Sequence, residues 1–301
     1  MDPLSELLTL LKPQSYASGG VAIGPHQAIQ WPEHAGIKCY AVVTGTCWLT
    51  VEGVADAVLL TAGECYLLPP GPAFCLATEP QAEPVDFAVL KAAGLLSKEI
   101  GQCSDDDCLL VGGHFVLTGR HADMLLSSLP PIVHIQKEAD KTAMRWSLDR
   151  MVDELRYPQP GGTLIAQQLA WMMLVQALRL HLSDTSTAGV GLLFALADKH
   201  LSAAIACIHD KPGHPWTLQA LASHAGMSRS VFAQRFKAVV NDSPIEYLTR
   251  WRMLLACERL KTSTEAIAQI AASLGYESES AFSKAFKRVT GYTPGQIRRE
   301  I

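Results

Sequence analysis

No apolar run in this chain approaches the ~20 uninterrupted residues that a membrane-spanning helix needs. The longest, such as Ala170–Leu180, are broken by Gln176 and Arg179. Charge is scarce too: Asp, Glu, Lys and Arg make up 18% of the 301 residues, against 49% hydrophobic. That balance excludes bulk disorder, which needs low hydrophobicity and high net charge. The length suits two domains, each able to bury its own core. Bases are missing from the first six residues, Met1-Asp2-Pro3-Leu4-Ser5-Glu6, where a secretion signal would carry them. A cytoplasmic protein with no membrane partner is therefore expected. The eight cysteines include no C-x-x-C pair and have no histidines at zinc-finger spacing. Most lie in apolar segments, where cysteine acts as a small buried hydrophobe. Cys103 and Cys108 flank Asp105, Asp106 and Asp107, a setting that disfavours a thiolate.

The net charge of −4 hides an asymmetry. From Leu192 onward there are 14 basic and 9 acidic residues, whereas the preceding part holds 11 and 20. A basic tail on an acidic body points to a polyanion as partner of the tail alone.

Residues 20–117 read as short strands, among them Lys38–Val43, Cys47–Val51, Cys65–Leu68, Phe74–Ala77, Val85–Leu90 and His114–Leu117. Gly45, Glu52-Gly53, Gly63 and Pro69-Pro70-Gly71-Pro72 separate them. Many short strands with such turns predict a sandwich or barrel. Helical periodicity follows over 143–156 and 163–182, with Met144, Leu148, Met151 and Leu155 on one stripe. Pro158-Gln159-Pro160-Gly161-Gly162 between them makes an antiparallel helical pair. Residues 184–192 read as a linker, and the remainder, 193–301, as helical.

That tail repeats itself. Phe236-Lys237, Asn241-Asp242-Ser243-Pro244 and Tyr247 are answered fifty residues on by Phe286-Lys287, Gly291-Tyr292-Thr293-Pro294 and Ile297. One supersecondary unit is used twice. In the first copy Leu218, Leu221, Ala222 and Ala225 form an apolar helix face, and Gly226 stands where a tight turn needs positive φ. Ser228 then caps a helix whose buried face is Val231, Phe232, Phe236 and Val239. In the second, Ile267, Ile270, Ala271 and Leu274 precede Gly275, Ser278 caps, and Phe282, Phe286 and Val289 face inward. Both copies follow helix-turn-helix grammar. Between them a helix from about Ile245 to Lys261 rises roughly 26 Å, a spacing that lets one chain enter two successive major grooves.

These residues resemble the AraC/XylS family of transcription regulators. The matching lines are Leu221-Ala222-x-x-Ala225-Gly226-Met227-Ser228, Ser243-Pro244-x-x-Tyr247-Leu248, Ile270-Ala271-x-x-x-Gly275-Tyr276 and Ala285-Phe286-Lys287-Arg288-x-x-Gly291. Asn241 replaces a usual glycine, although asparagine also tolerates the left-handed region. The resemblance implies a double-stranded DNA operator as partner. The outward positions of the two recognition helices are Arg229, Ser230, Ala233, Gln234 and Lys237, then Glu279, Ser280, Ala281, Ser283, Lys284, Lys287 and Arg288. Gln234 suits adenine and Lys284 guanine, while Lys237, Lys287 and Arg288 suit phosphates.

The strand-rich part resembles a cupin, the sensor barrel common in that family. Gly63-Glu64-Cys65-Tyr66-Leu67-Leu68-Pro69-Pro70-Gly71-Pro72-Ala73-Phe74 follows the cupin line G-x5-P-x-G-x2-H with Phe74 in place of the histidine. Lys38 stands where the first motif carries a metal-binding glutamate; His34 fits one histidine, but Pro32 occupies the other. A lysine repels a divalent cation, so no metal, cofactor or catalytic residue is expected. A metal-free barrel suits a small effector, lined by His34, Lys38, Tyr40, Trp48 and Phe74; an inward Lys38 would select an anion. His114, Arg120, His121 and Asp123 gather near the barrel's end, with Gly112-Gly113 and Gly119 read as surface turns.

The fold expected is thus α+β in two domains. Residues 1–183 form a cupin-like barrel with a helical pair, resembling dimerisation helices, and residues 193–301 an all-α double helix-turn-helix. A homodimer through residues 143–182 follows, with RNA polymerase as a further partner if the protein is an activator. Three other readings compete: a cupin enzyme carrying a DNA-binding appendage, a DNA-repair alkyl acceptor, and a thiol-based redox-responsive regulator. Missing metal ligands oppose the first and cysteine spacing the second. The third shares the DNA half.

Overall fold

Short β-branched and aromatic segments bounded by glycine turns fold as strands, and the 3.6-residue periodicity of the later segments folds as helices. The computed structural model describes residues 2–10, 15–93, 106–117, 122, 126, 129–183 and 191–299. After helix α1 (Pro3–Leu10) come strands β1 (Ser15–Ile23), β2 (Ala28–Trp31), β3 (Ile37–Thr44), β4 (Thr46–Val51), β5 (Val58–Thr61), β6 (Cys65–Leu68), β7 (Phe74–Ala77) and β8 (Pro84–Asp86). Helix α2 (Phe87–Ala92), strands β9 (Cys108–Val116) and β10 (Val133–Ile135), and helices α3 (Glu138–Arg156) and α4 (Gly162–Ser183) follow. The tail holds α5 (Leu192–Ala197), α6 (Lys199–Asp210), α7 (Leu218–His224), α8 (Arg229–Val240), α9 (Pro244–Thr262), α10 (Ile267–Ser273), α11 (Glu279–Thr290) and α12 (Pro294–Arg299).

Two compact units result. One comprises Pro13–Leu117 and Leu129–Asp184; the other comprises Thr185–Ile301 with Met1–Lys12 and Thr118–Ser128. In that grouping α1 goes with the helical unit although it lies within residues 1–183. Its Leu7 and Leu8 are buried, it packs against α6 and α9, and Glu6 Oε2 lies 3.0 Å from His209 Nδ1.

The strand-rich unit contains two five-stranded sheets. The first runs β1-β9-β3-β6-β10, all antiparallel; the second runs β5-β4-β7-β2-β8, with only the β2–β8 pair parallel. Strand alternation sends Val42, Tyr66, Leu68 and Leu110 of one sheet and Trp31, Leu49, Phe74 and Leu76 of the other into a single core. α4 covers the opposite face of the first sheet, where Trp171 meets Phe115 with ring centroids 5.6 Å apart. The expected helical pair is thus present, and one of its helices packs within its own unit.

Two local expectations give way. Val85–Leu90 divides into β8 and α2, because the Asp86 carboxylate accepts from the Ala88 amide and caps a helix there. Gly112 and Gly113 are buried inside β9, not at a surface turn. A Cβ at Gly112 would sit 2.0 Å from the Cys39 carbonyl, so close approach of β9 to β3 is what requires glycine there. Of the linker, residues 184–190 lie outside the described residues, and α5 already begins at Leu192.

Candidate functional site

Each tail repeat builds its second helix by the same local devices. In the first, Thr217 caps α7 by accepting from the Ala220 amide, and Gly226 turns the chain at φ 64°. Ser228 accepts from the Val231 amide to start α8, which ends at Asn241 in the left-handed region, φ 65°. In the second, Gly275 turns at φ 80°, Ser278 accepts from the Ala281 amide to start α11, and Gly291 ends it at φ 85°. Backbone crowding adds to the φ requirement at Gly275, where a Cβ would lie 2.4 Å from the Gly213 carbonyl oxygen. The joining helix α9 begins with a capping box, Ser243 and Glu246 exchanging backbone bonds, and Pro244 at its first turn.

Phe232 and Phe236 in α8, and Phe282 and Phe286 in α11, anchor the inner faces and are fully buried. Val240 replaces Val231 on the buried face of α8: Val231 is 52% exposed because it lies beside the capped first turn, off the Phe232–Phe236 stripe. The outer faces are open. Arg229, Ser230, Gln234 and Lys237 are exposed on α8, with Ala233 half-buried among them. On α11 Glu279, Ser280, Ala281, Lys284, Lys287 and Arg288 are exposed and Ser283 is half-buried. Arg235, also on α8, pairs with Asp198, the cap of α6. It is therefore tied to the scaffold, unlike its neighbours Gln234 and Lys237. The face so assembled offers amide, hydroxyl and cationic groups on two helices that share one rigid connector.

The barrel unit encloses a cavity of about 230 Å³. Val21, Trp31, Leu76, Phe87 and Leu110 give it apolar walls, with Lys38, Tyr40, Tyr66, Phe74, Lys91 and His114 completing the lining. Of the five residues proposed from the sequence, Lys38, Tyr40 and Phe74 therefore line it. His34 stands beside it, its ring edge-on to Phe74 at 5.7 Å and to His114 at 6.2 Å. Trp48 does not line it: in β4 the buried Cys47, Leu49 and Val51 alternate with Trp48, which takes the opposite face. Register brings the polar members together, since Lys38 pairs with His114 across β3–β9 and Tyr40 with Tyr66 across β3–β6. Lys91 and Tyr66 had no strong sequence signal of their own, and in sequence His114 groups with residues outside this lining. For His114, reading Gly112-Gly113 as a turn concealed a strand that aims it inward. Arg120, His121 and Asp123 lie outside the described residues.

Electrostatics at this mouth are one-sided. The Lys38 ammonium sits over the Phe74 ring, 5.5 Å from its centroid, and burial lowers its pKa. Burial first, and the nearby Lys38 charge second, push His34 down to about 4; its Nδ1 donates to the Gly36 carbonyl at 3.0 Å. His114 is lowered by burial as well, and its Nε2 donates to the Ala35 carbonyl. Burial pushes Tyr40 up to about 12 and holds Tyr66 well above its usual value, so both phenols stay neutral donors. The side chains standing where a metal-binding cupin holds ligands include a lysine and a phenylalanine, and they do not fit a divalent cation.

A cupin family model matches residues 2–183, and a helix-turn-helix domain model matches residues 221–300. An AraC-like transcription regulator from Streptomyces lividans is 42% identical over 303 aligned residues, covering 99% of this chain and 98% of that one. The chain belongs to the AraC family of transcription regulators. The regulator AlkR of Acinetobacter baylyi is 32% identical to it, over 90% of this chain and 92% of its own. Among solved structures, the DNA-binding domain of AdpA in complex with a target DNA is 27% identical, covering 34% of this regulator and 93% of that chain, with TM-score 0.33.

This AraC-family regulator is thus a DNA-binding protein with a cupin-like N-terminal part, and the relatives it matches are transcription regulators. No described helix is long and apolar enough to cross a membrane. Its described cysteines are free. Cys39 and Cys65 lie 3.8 Å apart, and their mutual hydrogen bond, then burial, holds the Cys39 thiol well above its usual range. Cys47 is raised in the same way by Cys108.

Proposed function

We propose that this regulator reads a specific operator with α8 and α11 and changes its DNA binding when a small molecule occupies the barrel cavity. One observation carries the reading: a concave, largely apolar cavity, partly open to solvent, is lined by a few polar groups inside the strand-rich unit. Such concave sites are the usual form of a small-ligand site. In α8 the base-reading side chains are Arg229, Ser230, Ala233 and Gln234, with Lys237 on phosphate. In α11 they are Glu279, Ser280, Ala281, Ser283 and Lys284, with Lys287 and Arg288 on phosphate. The sensor part is residues 1–183 and the reader 193–301, and a second copy of the chain joins through residues 143–182. RNA polymerase is the further partner if the regulator activates.

Selection of bound fragments from random DNA, followed by footprinting, tests the reader half. It should return two short half-sites about one helical turn apart for each chain. Enrichment of a single half-site, or of none, rejects two-helix reading. A cavity-filling variant, Leu110→Phe, tests the sensor half: it should keep operator binding by the purified protein and alter the response of the target promoter in cells. An unchanged cellular response rejects the effector.

A further inference from the structure

The cavity carries its own statement about what enters it. Lys38 has no carboxylate or hydrogen-bond partner among the described residues; the face of the Phe74 ring is its one recorded partner. Lys38 is half-buried; an ammonium partly withdrawn from water gains from a counter-charge, and a ring face neutralises none. The Tyr40 and Tyr66 rings stack at 6.2 Å, and neither hydroxyl has a hydrogen-bond partner among the described residues. The Lys38 cation and two neutral donors, all without acceptors among the described residues, therefore border one small space that the exposed Lys91 also lines. Beside Lys38, Trp31 and Phe74 stack face to face at 4.9 Å and 4°, and their ring faces add apolar wall.

From this geometry we infer that the cavity binds a compact monocarboxylic acid. The carboxylate accepts from the Lys38 ammonium and the Tyr40 and Tyr66 hydroxyls, and its apolar body lies against Trp31, Phe74 and Leu110. A cation would place like charge beside Lys38. A neutral molecule can offer an acceptor but no charge to balance Lys38. A carboxylate satisfies all three, through charge-assisted bonds. Size limits the body. The cavity of about 230 Å³ falls below the ~300–1,000 Å³ of drug-sized sites. Phenyl-substituted or short-chain acids suit that space. The inference rests on the effector reading above and names the chemical class for the same site.

Calorimetry and thermal melting of the full chain with phenylacetate and hexanoate, against phenylacetamide and hexanamide, test it. The acids should bind about tenfold more tightly than the amides, or better, as expected for a hydrogen bond to a charged group. Lys38→Met should abolish that preference, while its ligand-free melting temperature holds or rises, because a charge without a counter-ion has been removed. Lys38→Arg should retain part of the preference, which separates loss of charge from damage to the fold. Amides that match the acids, a Lys38→Met protein that still prefers acids, or no binding of either class each overturn the inference. An altered cellular response in Leu110→Phe with no preference for acids would reject only the carboxylate. An unaltered response would reject the effector reading itself.

Discussion

His34 shows how position decides the chemistry of a residue. In sequence it is the surviving histidine of an eroded metal motif; in the fold it is a neutral ring wedged beside Lys38 and Phe74. Its pKa of about 4 lies below the ordinary 6.5, so between those values the unfolded chain binds a proton that the folded chain refuses. Stability then rises with pH across that window and is lost as pH falls through it. The barrel unit should lose stability between about pH 6.5 and pH 4, and His34→Gln should flatten the profile. Denaturant midpoints followed by Trp31 fluorescence at several pH values check this, and identical profiles in both proteins would show that His34 does not contribute. Such a role could not be read from His34 in the sequence, because burial and the Lys38 charge come from strands that meet only on folding.

At the scale of elements, the recognition helices were the most legible part of the chain. Their caps, turns and inner aromatic residues all act within one or two helical turns, so Ser228, Gly226, Phe232 and Phe236 reveal themselves locally. One error was also local in origin: Val231 fits an apolar stripe by spacing but sits in the exposed first turn. On the outer face, groups that touch base edges and groups that touch phosphate should behave differently. Gln234→Ala should reduce operator discrimination by about 1–3 kcal/mol, whereas Lys287→Ala should weaken operator and random DNA alike and lower the salt slope by about one. Gel-shift titrations on both DNAs across a salt series check the pair; discrimination unchanged in Gln234→Ala would remove that side chain from base reading.

At the scale of the molecule, apolar surface is left over. Trp146 on α3 and Leu164 on α4 are each 66% exposed, with Ile165 and Met172 on α4 also exposed. Single exposed apolar residues are ordinary, but several on one helical pair suit an interface. If the second copy docks there, replacing Trp146 and Leu164 together by glutamate should shift the full chain from dimer to monomer in sedimentation velocity. Each chain should still bind DNA, with lower affinity for paired sites. A wild-type protein that is monomeric at micromolar concentration would remove the dimer.

The amino-acid sequence alone determined the double helix-turn-helix and its two turns, since helix periodicity, capping and a fifty-residue repeat are short-range signals. It also showed the loss of metal ligands at Lys38 and Phe74. Only the tertiary structure decided that Lys38 meets His114, that Tyr40 meets Tyr66, and that Trp48 faces away from the cavity they line. Those outcomes depend on strand register, where a shift of one residue reverses every side chain. The same holds for Gly112 and Gly113, a turn by composition and a strand once β3 lies alongside. α1 likewise joins the helical unit through Leu7, Leu8 and Glu6, because burial partners far along the chain outweigh position in sequence.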